Sequence, residues 1–211
     1  MPLNPTFQYE EQYWNQHITA VAGVDEAGMG ALAGPVVAAA VIFKPTAWSQ
    51  NTTSLVRDSK TLSAKRRENL ISLIHYTASA WAVGEATVEE IDRLNIRAAS
   101  HLAMRRAIDT LSNTPDLLLI DGTPATPHPA IPATNIIDGD ALSISIAAAS
   151  ILAKVHRDRL MQKLDEEFPQ YGFAGHKGYG VKTHMDALRS FGASPHHRRT
   201  YAPVAAVLTA S

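Results

Sequence analysis

Two adjacent acidic residues, Asp25 and Glu26, follow an apolar segment at Ala20–Val24 and precede a Gly-Met-Gly turn at 28–30. Because successive residues of a strand point to opposite faces, one of the two acids should point towards the core. An unpaired buried charge costs several kcal/mol, and a bound divalent cation would remove that cost. The pair therefore suggests a metal site at the end of a strand.

Two further acids close apolar stretches in the same way. Asp121 follows Leu117–Ile120, and Asp140 lies just past Ile136-Ile137. Each acid alone could be a turn residue or a helix cap. The four together fit a two-metal phosphodiesterase site, in which carboxylates hold two cations roughly 3.5–4 Å apart. Since the chain has no cysteine, thiolate ligands are excluded, and oxygen ligands favour Mg²⁺ or Mn²⁺.

The length of the chain, 211 residues, is sufficient for one hydrophobic core, so a single domain is expected. Residues 1–17 are polar and aromatic and lack the basic and apolar regions of a signal peptide. The longest apolar run, Val36–Phe43, is far shorter than the roughly 20 residues that a membrane helix needs. We therefore expect a cytoplasmic monomer that does not enter a membrane.

Net charge alone does not indicate a nucleic-acid-binding protein, because it is −1 with a pI near 6.8. The basic residues nevertheless occur in clusters, which could be either phosphate contacts or solvated faces of helices. These clusters are Lys60-Lys65-Arg66-Arg67, Lys154-Arg157-Arg159, Lys177-Lys182 and His196-His197-Arg198-Arg199.

Hydrophobic periodicity predicts an α/β fold with a mixed sheet, because the first strands follow one another as hairpin-like neighbours and later strands alternate with helices. Asn95 and Ser63 are expected N-caps. The predicted strands lie near Thr19–Asp25, Pro35–Phe43, Ala80–Thr87, Asp116–Asp121 and Ala133–Asp138. The predicted helices are Ser63–Thr77, Asn95–Ser112, Ile144–Glu167 and Lys182–Ser190.

The turn at residues 28–33 also fits the dinucleotide-binding fingerprint G-x-G-x-x-G/A. Three features disfavour this interpretation. The two acids before the turn would repel a pyrophosphate, residues 35–37 continue as a strand instead of a helix, and no acid occurs between Glu26 and Asp58 to bind a ribose.

Several longer motifs occur in order along the chain. They are Ala22-Gly23-Val24-Asp25-Glu26-Ala27-Gly28-Met29-Gly30, Asp58-Ser59-Lys60-Thr61-Leu62-Ser63, Ile120-Asp121-Gly122, Gly139-Asp140-Ala141-Leu142, Ala147-Ala148-Ala149-Ser150-Ile151-Leu152-Ala153-Lys154 and His176-Lys177-Gly178-Tyr179-Gly180. Together they closely resemble ribonuclease HII, the type 2 ribonuclease H, from about Val21 to Val204. The resemblance implies a ribonuclease H-like mixed sheet flanked by helices, at about residues 18–165. It also implies a C-terminal helical region, at about 166–211, that contacts the substrate.

The resemblance further implies roles for individual residues. The family's metal-binding acids match Asp25, Glu26, Asp121 and Asp140, which are therefore the expected catalytic residues. The family's glycine–basic–glycine turn recognises the 2′-hydroxyl at an RNA–DNA junction through its backbone amides, and a tyrosine stacks on the sugar beyond. The corresponding substrate-binding residues are Gly28, Met29, Gly30, Ser59, Lys60, Lys177 and Tyr179.

The chain departs from the family pattern at two positions of the turn. Met29 stands where the family has arginine or lysine, and Ala31 replaces a usual proline. The change at Met29 removes a cation near a phosphate but leaves the four acids intact. It should therefore affect phosphate binding more than metal chemistry.

The function implied by the resemblance is that of a metal-dependent endoribonuclease. Such an enzyme cuts the RNA strand of RNA–DNA hybrids and the 5′ side of single ribonucleotides embedded in duplex DNA, leaving 3′-hydroxyl and 5′-phosphate ends. Its cofactor would be Mg²⁺ or Mn²⁺, with two ions during catalysis. The alternative, which the change at Met29 suggests, is a junction-binding module with weak or no catalysis.

Overall fold

The protein is described by a computed structural model that covers residues 5–45, 64–122 and 126–209. Its centre is a five-stranded sheet with the strand order β3-β2-β1-β4-β5. The strands are β1 (Val21–Ala27), β2 (Val36–Ile42), β3 (Ala80–Ala86), β4 (Leu117–Asp121) and β5 (Ala133–Ile136). The first three strands pair antiparallel, whereas β4 runs parallel to both β1 and β5. The predicted mixed α/β sheet is therefore confirmed.

The register of β1 and β4 brings the acids to one edge of the sheet. Val24 pairs with Ile120, so the next residues along the two parallel strands, Asp25 and Asp121, lie level with each other. Parallel strands place their carboxyl ends at the same edge, which is where open α/β sheets form their sites.

Nine α-helices occur in the described residues, together with a short 3₁₀ turn at Pro169–Tyr171. None of these helices combines the length and apolar character needed to cross a membrane. They are α1 (Gln8–Trp14), α2 (Ala64–Thr77), α3 (Val88–Leu94), α4 (Ile96–Asp109), α5 (Gly139–Leu142), α6 (Ile144–Glu167), α7 (Phe173–His176), α8 (Lys182–Phe191) and α9 (Ala202–Thr209).

The sheet is covered on both faces, and β2 shows this most clearly because every one of its residues is buried. Val36, Ala38, Ala40 and Ile42 pack into a cluster with α4, whereas Val37, Ala39 and Val41 pack with α6. A strand buried on both faces reads as a continuous apolar run instead of an alternating one. This arrangement makes α6 the helix that lies behind the acids of β1.

Close packing of α6 against β1 depends on Gly23. A Cβ atom at this position would collide with the backbone of Ser145, near the start of α6. The start of α6 therefore packs directly on β1 at Gly23, two residues before Asp25. This contact holds the helix start close to the first acid.

Several boundaries differ from the sequence prediction. Five helices were not predicted, namely α1, α3, α5, α7 and α9, and all five are short, with eight residues or fewer. For α3 a readable signal existed, because Thr87 and Glu90 form a capping box at its start. Asn95 caps α4 as predicted, accepting from the amide of Ala98 at 3.1 Å, whereas Ser63 lies outside the described residues.

The predicted strand at Ala133–Asp138 ends early, at Ile136. Asp138 adopts a left-handed conformation (φ 53°) and starts α5. Asp140 therefore lies in a helical turn and not at a strand end. The turn brings Asp140 back towards β4 instead of continuing the sheet.

Candidate active site

Asp25 and Glu26 differ in burial as the alternation of strand faces predicts. Asp25 is only 6% exposed, and Glu26 is half-buried at the edge of the sheet. The Oδ1 atom of Asp25 accepts from the amide of Glu26 at 2.7 Å, and Ser150 of α6 also hydrogen-bonds the carboxyl group. Burial raises the pKa of Asp25 well above its usual value, and the charges of Glu26 and Asp121 raise it further.

Asp121 and Asp140 are joined through the main chain of α5. The Oδ1 atom of Asp121 accepts from the amide of Gly139 at 2.7 Å, with the amide of Asp140 at 3.4 Å. The Asp140 side chain is only 2% exposed. Gly139 packs closely here, because a Cβ would stand 2.7 Å from Ile146 Cδ1 and 3.3 Å from Asp121 Oδ1. The structure thus brings all four predicted acids to the same edge of the sheet.

The donor chemistry of these acids fits a hard divalent cation. The carboxylates of Asp25, Glu26 and Asp121 lie close enough for each neighbour to raise the pKa of Asp25. Within the described ranges, no group of three or more Asp, Glu or His side chains stands at coordinating spacing. Like charges 4 Å apart repel by about 4 kcal/mol at an effective dielectric of 20, and a bound cation would relieve that repulsion.

A cavity of about 310 Å³ opens beside Asp25, Glu26 and Asp121 and extends to the glycine turn. It is lined by Asp25, Glu26, Ala27, Gly28, Met29, Gly30, Asp121, Ser150, Lys154 and Tyr179. The prediction did not select Ser150 and Lys154 as site residues, although both belong to a quoted motif. Their spacing of four residues on α6 places both side chains on one face of the helix, and this was the available signal.

Arg198, which is fully buried, fixes the glycine turn from behind. Its guanidinium donates to the carbonyl oxygens of Gly28 at 2.7 Å, Met29 at 2.9 Å and Gly34 at 2.9 Å. Gly28 has φ 97°, and a Cβ there would collide with Arg157. The first glycine of the turn is therefore required both by its backbone conformation and by this contact.

Arg157 also binds backbone carbonyl groups, two of them just after the glycine turn and one at Lys177. It is also fully buried, and it donates to the carbonyl oxygens of Ala33, Pro35 and Lys177 at 3.0–3.1 Å. Burial lowers its pKa to about 10. Both interpretations of the basic clusters, phosphate contacts and solvated helix faces, are therefore wrong for Arg157 and Arg198. These arginines hold backbone carbonyls in the interior.

Tyr179 stands opposite the turn. Its ring is 38% exposed on the cavity, 3.9 Å from the position that a Cβ of Gly30 would take. The guanidinium of Arg157 lies 5.5 Å from the ring centroid. The Met29 side chain is 36% exposed at the mouth of the same cavity.

Of the three predicted lysine and serine contacts, Lys177 lies within the described residues. Lys177 has a left-handed backbone (φ 53°), and its ammonium group donates to the carbonyl oxygen of Ala174. Ser59 and Lys60 lie outside the described residues. Among the described residues that line the cavity, Lys154 is the cation, and it forms an ion pair with Asp158 at 2.6 Å.

A chain of neutral histidines supports Tyr179. The Nδ1 atom of His197 accepts from the amide of Ser194 at 3.0 Å, so its proton is on Nε2, which faces His184 Nε2 at 3.1 Å. His184 then carries its own proton on Nδ1 and donates to the carbonyl oxygen of Tyr179 at 3.0 Å. Burial lowers the pKa of His184 and lowers that of His197 to about 4. The arrangement requires both rings to be neutral.

We expect this chain to make the protein sensitive to acid. An unfolded histidine has a pKa near 6.5, whereas that of folded His197 is about 4. The unfolded state takes up a proton in this interval that the folded state excludes, so the free energy of unfolding decreases as the pH falls. His197→Asn keeps an acceptor for Ser194 but does not titrate. Its melting temperature should therefore fall less than that of the wild type between about pH 7 and about pH 5, as thermal denaturation would show. Equal falls would contradict the neutral assignment.

Comparison with protein families identifies the family of the chain. The family model described as ribonuclease HII matches residues 22–204. The chain belongs to the ribonuclease HII family. Enzymes of this family cleave the RNA of RNA–DNA hybrids, and the chain is accordingly a ribonuclease H. Family membership also removes the dinucleotide-binding interpretation of the turn.

Curated relatives match over most of their length. A ribonuclease HII of Methylibium petroleiphilum is 57% identical, over 91% of this chain and 94% of the relative. A ribonuclease HII of Myxococcus xanthus is 52% identical, over 96% of this chain and 68% of the relative.

Several solved ribonuclease structures share the fold. The ribonuclease H2 of Pyrococcus horikoshii superimposes with a TM-score of 0.71 at 26% identity, covering 90% of this chain and 97% of that one. The ribonuclease HII in a PCNA complex from Archaeoglobus fulgidus gives a TM-score of 0.72 at 25% identity, covering 89% and 96%. A Bst-RNase HIII structure in complex with Mn²⁺ has the same fold, with a TM-score of 0.71 at 17% identity and coverage of 92% and 71%.

Ribonucleases H depend on divalent metal ions, and the clustered carboxylates of this ribonuclease HII suit that dependence. The acids fit a metal ion because the charges of Glu26 and Asp121 act on Asp25 and raise its pKa, so the three carboxyl groups lie close together. The donors are all oxygen atoms, as a hard cation requires.

Proposed function

We propose that this ribonuclease HII cuts on the 5′ side of single ribonucleotides in duplex DNA, besides cutting the RNA strand of hybrids, and leaves 3′-hydroxyl and 5′-phosphate ends. The observation that carries the proposal is that one cavity combines Asp25, Glu26 and Asp121 with the 28–30 turn and Tyr179. A group that reads a sugar and a group that hydrolyses the adjacent phosphate are thus within one site. The residues after about 166 contribute Tyr179 and contact the duplex.

In the proposed mechanism, Asp25, Glu26, Asp121 and Asp140 hold Mg²⁺ or Mn²⁺. When bound, the metal supplies activation of a water molecule and stabilisation of the leaving oxygen. The protein's own contribution is to keep the acids in place. Ser150 orients Asp25 through its hydrogen bond, and the amide of Gly139 orients Asp121.

The glycine turn is suited to recognise a 2′-hydroxyl through its backbone. The carbonyl oxygens of Gly28 and Met29 are bound by Arg198. In a trans peptide the N–H points opposite to the carbonyl, so the amides of Met29 and Gly30 point away from Arg198. These amides read the hydroxyl in our proposal, and the hydroxyl is what distinguishes RNA from DNA whatever the base.

Base-independent cutting tests this proposal. Four duplexes that differ only in the base of one embedded ribonucleotide should be cut at rates within about threefold of one another, and the all-DNA duplex should resist. Tyr179→Ala should lower cutting of these duplexes, while calorimetric Mn²⁺ binding stays unchanged. A strong preference for one base, or cutting of plain DNA, would contradict sugar reading by the turn and Tyr179.

Restoring a cation at Met29 should strengthen binding in a salt-dependent way. Each neutralised phosphate contributes about −0.9 to the slope of log affinity against log salt on B-form DNA. Met29→Arg should therefore bind a junction duplex more tightly at low salt, with a slope steeper by about one unit. Met29→Leu is the neutral control and should match the wild type. Parallel slopes for all three proteins, measured by fluorescence anisotropy, would show that residue 29 does not face a phosphate.

A further inference from the structure

Glu10 is a fully buried acid in α1 that lies outside the residues matched by the family model, 22–204. Its Oε1 atom accepts from Ser143 Oγ at 2.6 Å, from the amide of Ser145 at 3.0 Å and from the Ser145 hydroxyl. Its Oε2 atom is buried and has no hydrogen-bond partner among the described residues. A buried carboxyl group of this kind is costly to the fold, so its position calls for an explanation beyond packing.

The position of Glu10 is the N-terminus of the longest described helix. Ser143 is the N-cap of α6, and Ser145 lies in its first turn. The first amides of a helix have no intrahelical partner, and the helix dipole favours an anion beside them. Glu10 therefore acts as a cap supplied by a different helix, in addition to the local cap that Ser143 gives to Ile146.

The same contact holds the short helix that carries Asp140. The amide of Ser143 donates to the carbonyl oxygen of Gly139 at 2.8 Å, so Ser143 closes α5 as well as opening α6. The preceding segment adds two bonds at this junction, Thr6 to Leu142 at 3.0 Å and Ile144 to Thr6 at 3.1 Å. The α1 segment is thus attached to α5 and α6 at the point where they meet.

Two of the acids depend on this junction. Through Gly139 and Asp140, the backbone of α5 donates to the carboxyl group of Asp121. Through Ser145, the start of α6 packs on Gly23 of β1, two residues before Asp25. A displacement at the junction would therefore move Asp140 relative to Asp121, and α6 relative to Asp25.

We propose that Glu10 is a positioning residue for the ribonuclease reaction: by binding Ser143 and Ser145 it fixes the α5–α6 junction, and with it the place of Asp140 beside Asp121. The inference rests on the metal-binding role of Asp140 in the proposed function. Glu10 itself touches neither substrate nor metal. Its effect is on the geometry of the acids, and small displacements of such groups lower turnover strongly.

Variants of Glu10 test the inference on the full chain. Glu10→Ala should lower kcat on an RNA–DNA hybrid by about 10- to 100-fold with an unchanged KM, because the substrate contacts at Tyr179 are elsewhere. It should also weaken Mn²⁺ binding in calorimetry and speed amide exchange of residues 139–146. Glu10→Gln keeps an oxygen acceptor for both serines and should stay within about fivefold of the wild type, the effect of losing a charge at a helix end. The matched control is Glu11→Ala, since Glu11 is the exposed neighbour and should have no effect.

The possible outcomes distinguish a failure of the inference about Glu10 from a failure of the proposed metal site. A folded Glu10→Ala protein with wild-type kcat and wild-type Mn²⁺ affinity would overturn it. A loss of activity that comes from a higher KM, with unchanged Mn²⁺ affinity, would also overturn it. That pattern would indicate a general loosening of the structure and not a displacement of the acids. If Glu10→Ala does not fold, Ser145→Ala removes one donor to the carboxyl group and should give a smaller change of the same kind, and no change would count against the inference. Asp140→Asn with full turnover would instead reject the proposed metal site.

Discussion

Asp25→Asn and Asp121→Asn are expected to lose about 10³-fold or more in turnover at saturating Mn²⁺, since several kcal/mol of charge stabilisation would be missing in the transition state and each 1.4 kcal/mol is tenfold. Their stability without metal should stay equal or rise. Burial and the charges of Glu26 and Asp121 raise the pKa of Asp25 in the fold, so its ionised form disfavours the native state. Stability contributed by protonated Asp25 is present at low pH and is lost as the pH rises through the folded pKa. The uncharged amide therefore favours the fold above that pKa.

The measurement combines single-turnover cleavage with melting temperatures in EDTA at neutral pH. Asp116→Asn is a matched control, because Asp116 is an exposed acid just before β4 begins, whereas Asp121 ends the same strand. The control should cleave at the wild-type rate. Wild-type turnover in Asp25→Asn or Asp121→Asn would remove that residue from the catalytic set.

Arg198→Met should cost about 3 kcal/mol or more of unfolding free energy. The guanidinium donates to the carbonyl oxygens of Gly28, Met29 and Gly34, and each buried carbonyl left without a donor costs about 1–3 kcal/mol. The melting temperature should fall by about 6–12 °C for a domain of this size. Cleavage at a temperature where the variant stays folded should also fall, because the turn that carries Met29 loses its support.

Arg199→Met provides the control, because Arg199 is the exposed neighbour, and its amide, not its side chain, binds Asp92. A change of less than about 0.5 kcal/mol is expected there. If Arg198→Met and Arg199→Met melt alike, the buried guanidinium is not what holds the turn.

The positions of the acids could be predicted from the sequence because each acid follows an apolar run and because an unpaired buried charge is costly. Asp25 and Asp121 follow apolar runs that form adjacent parallel strands, and the expected burial of one acid of the Asp25-Glu26 pair is observed. Asp140 was predicted as a site residue, but the short helix that carries it, α5, was not predicted. The left-handed Asp138 that turns the chain into α5 has no signature in hydrophobic periodicity.

The supporting residues were not predictable, because their partners are distant in sequence. Arg198 binds Gly28, 170 residues away, and a cationic side chain in a local cluster gives no indication of such a partner. The same holds for Glu10, whose neighbour Glu11 is exposed while Glu10 itself binds Ser145, 135 residues away. Local sequence patterns identified the acids that we propose as metal ligands, whereas the residues that hold them in place are defined only by the tertiary structure.

We propose that the four acids, with a divalent metal, hydrolyse the phosphodiester bond beside a ribonucleotide held by the 28–30 turn and Tyr179. The most direct measurement incubates an end-labelled DNA duplex containing one ribonucleotide with the wild-type protein, in Mn²⁺ and in EDTA, and maps the product to single-nucleotide resolution. We predict one cut, on the 5′ side of the ribonucleotide, with a 3′-hydroxyl and a 5′-phosphate, in Mn²⁺ alone. Cleavage in EDTA, cleavage at another position, or tight binding without cleavage in Mn²⁺ would contradict this mechanism.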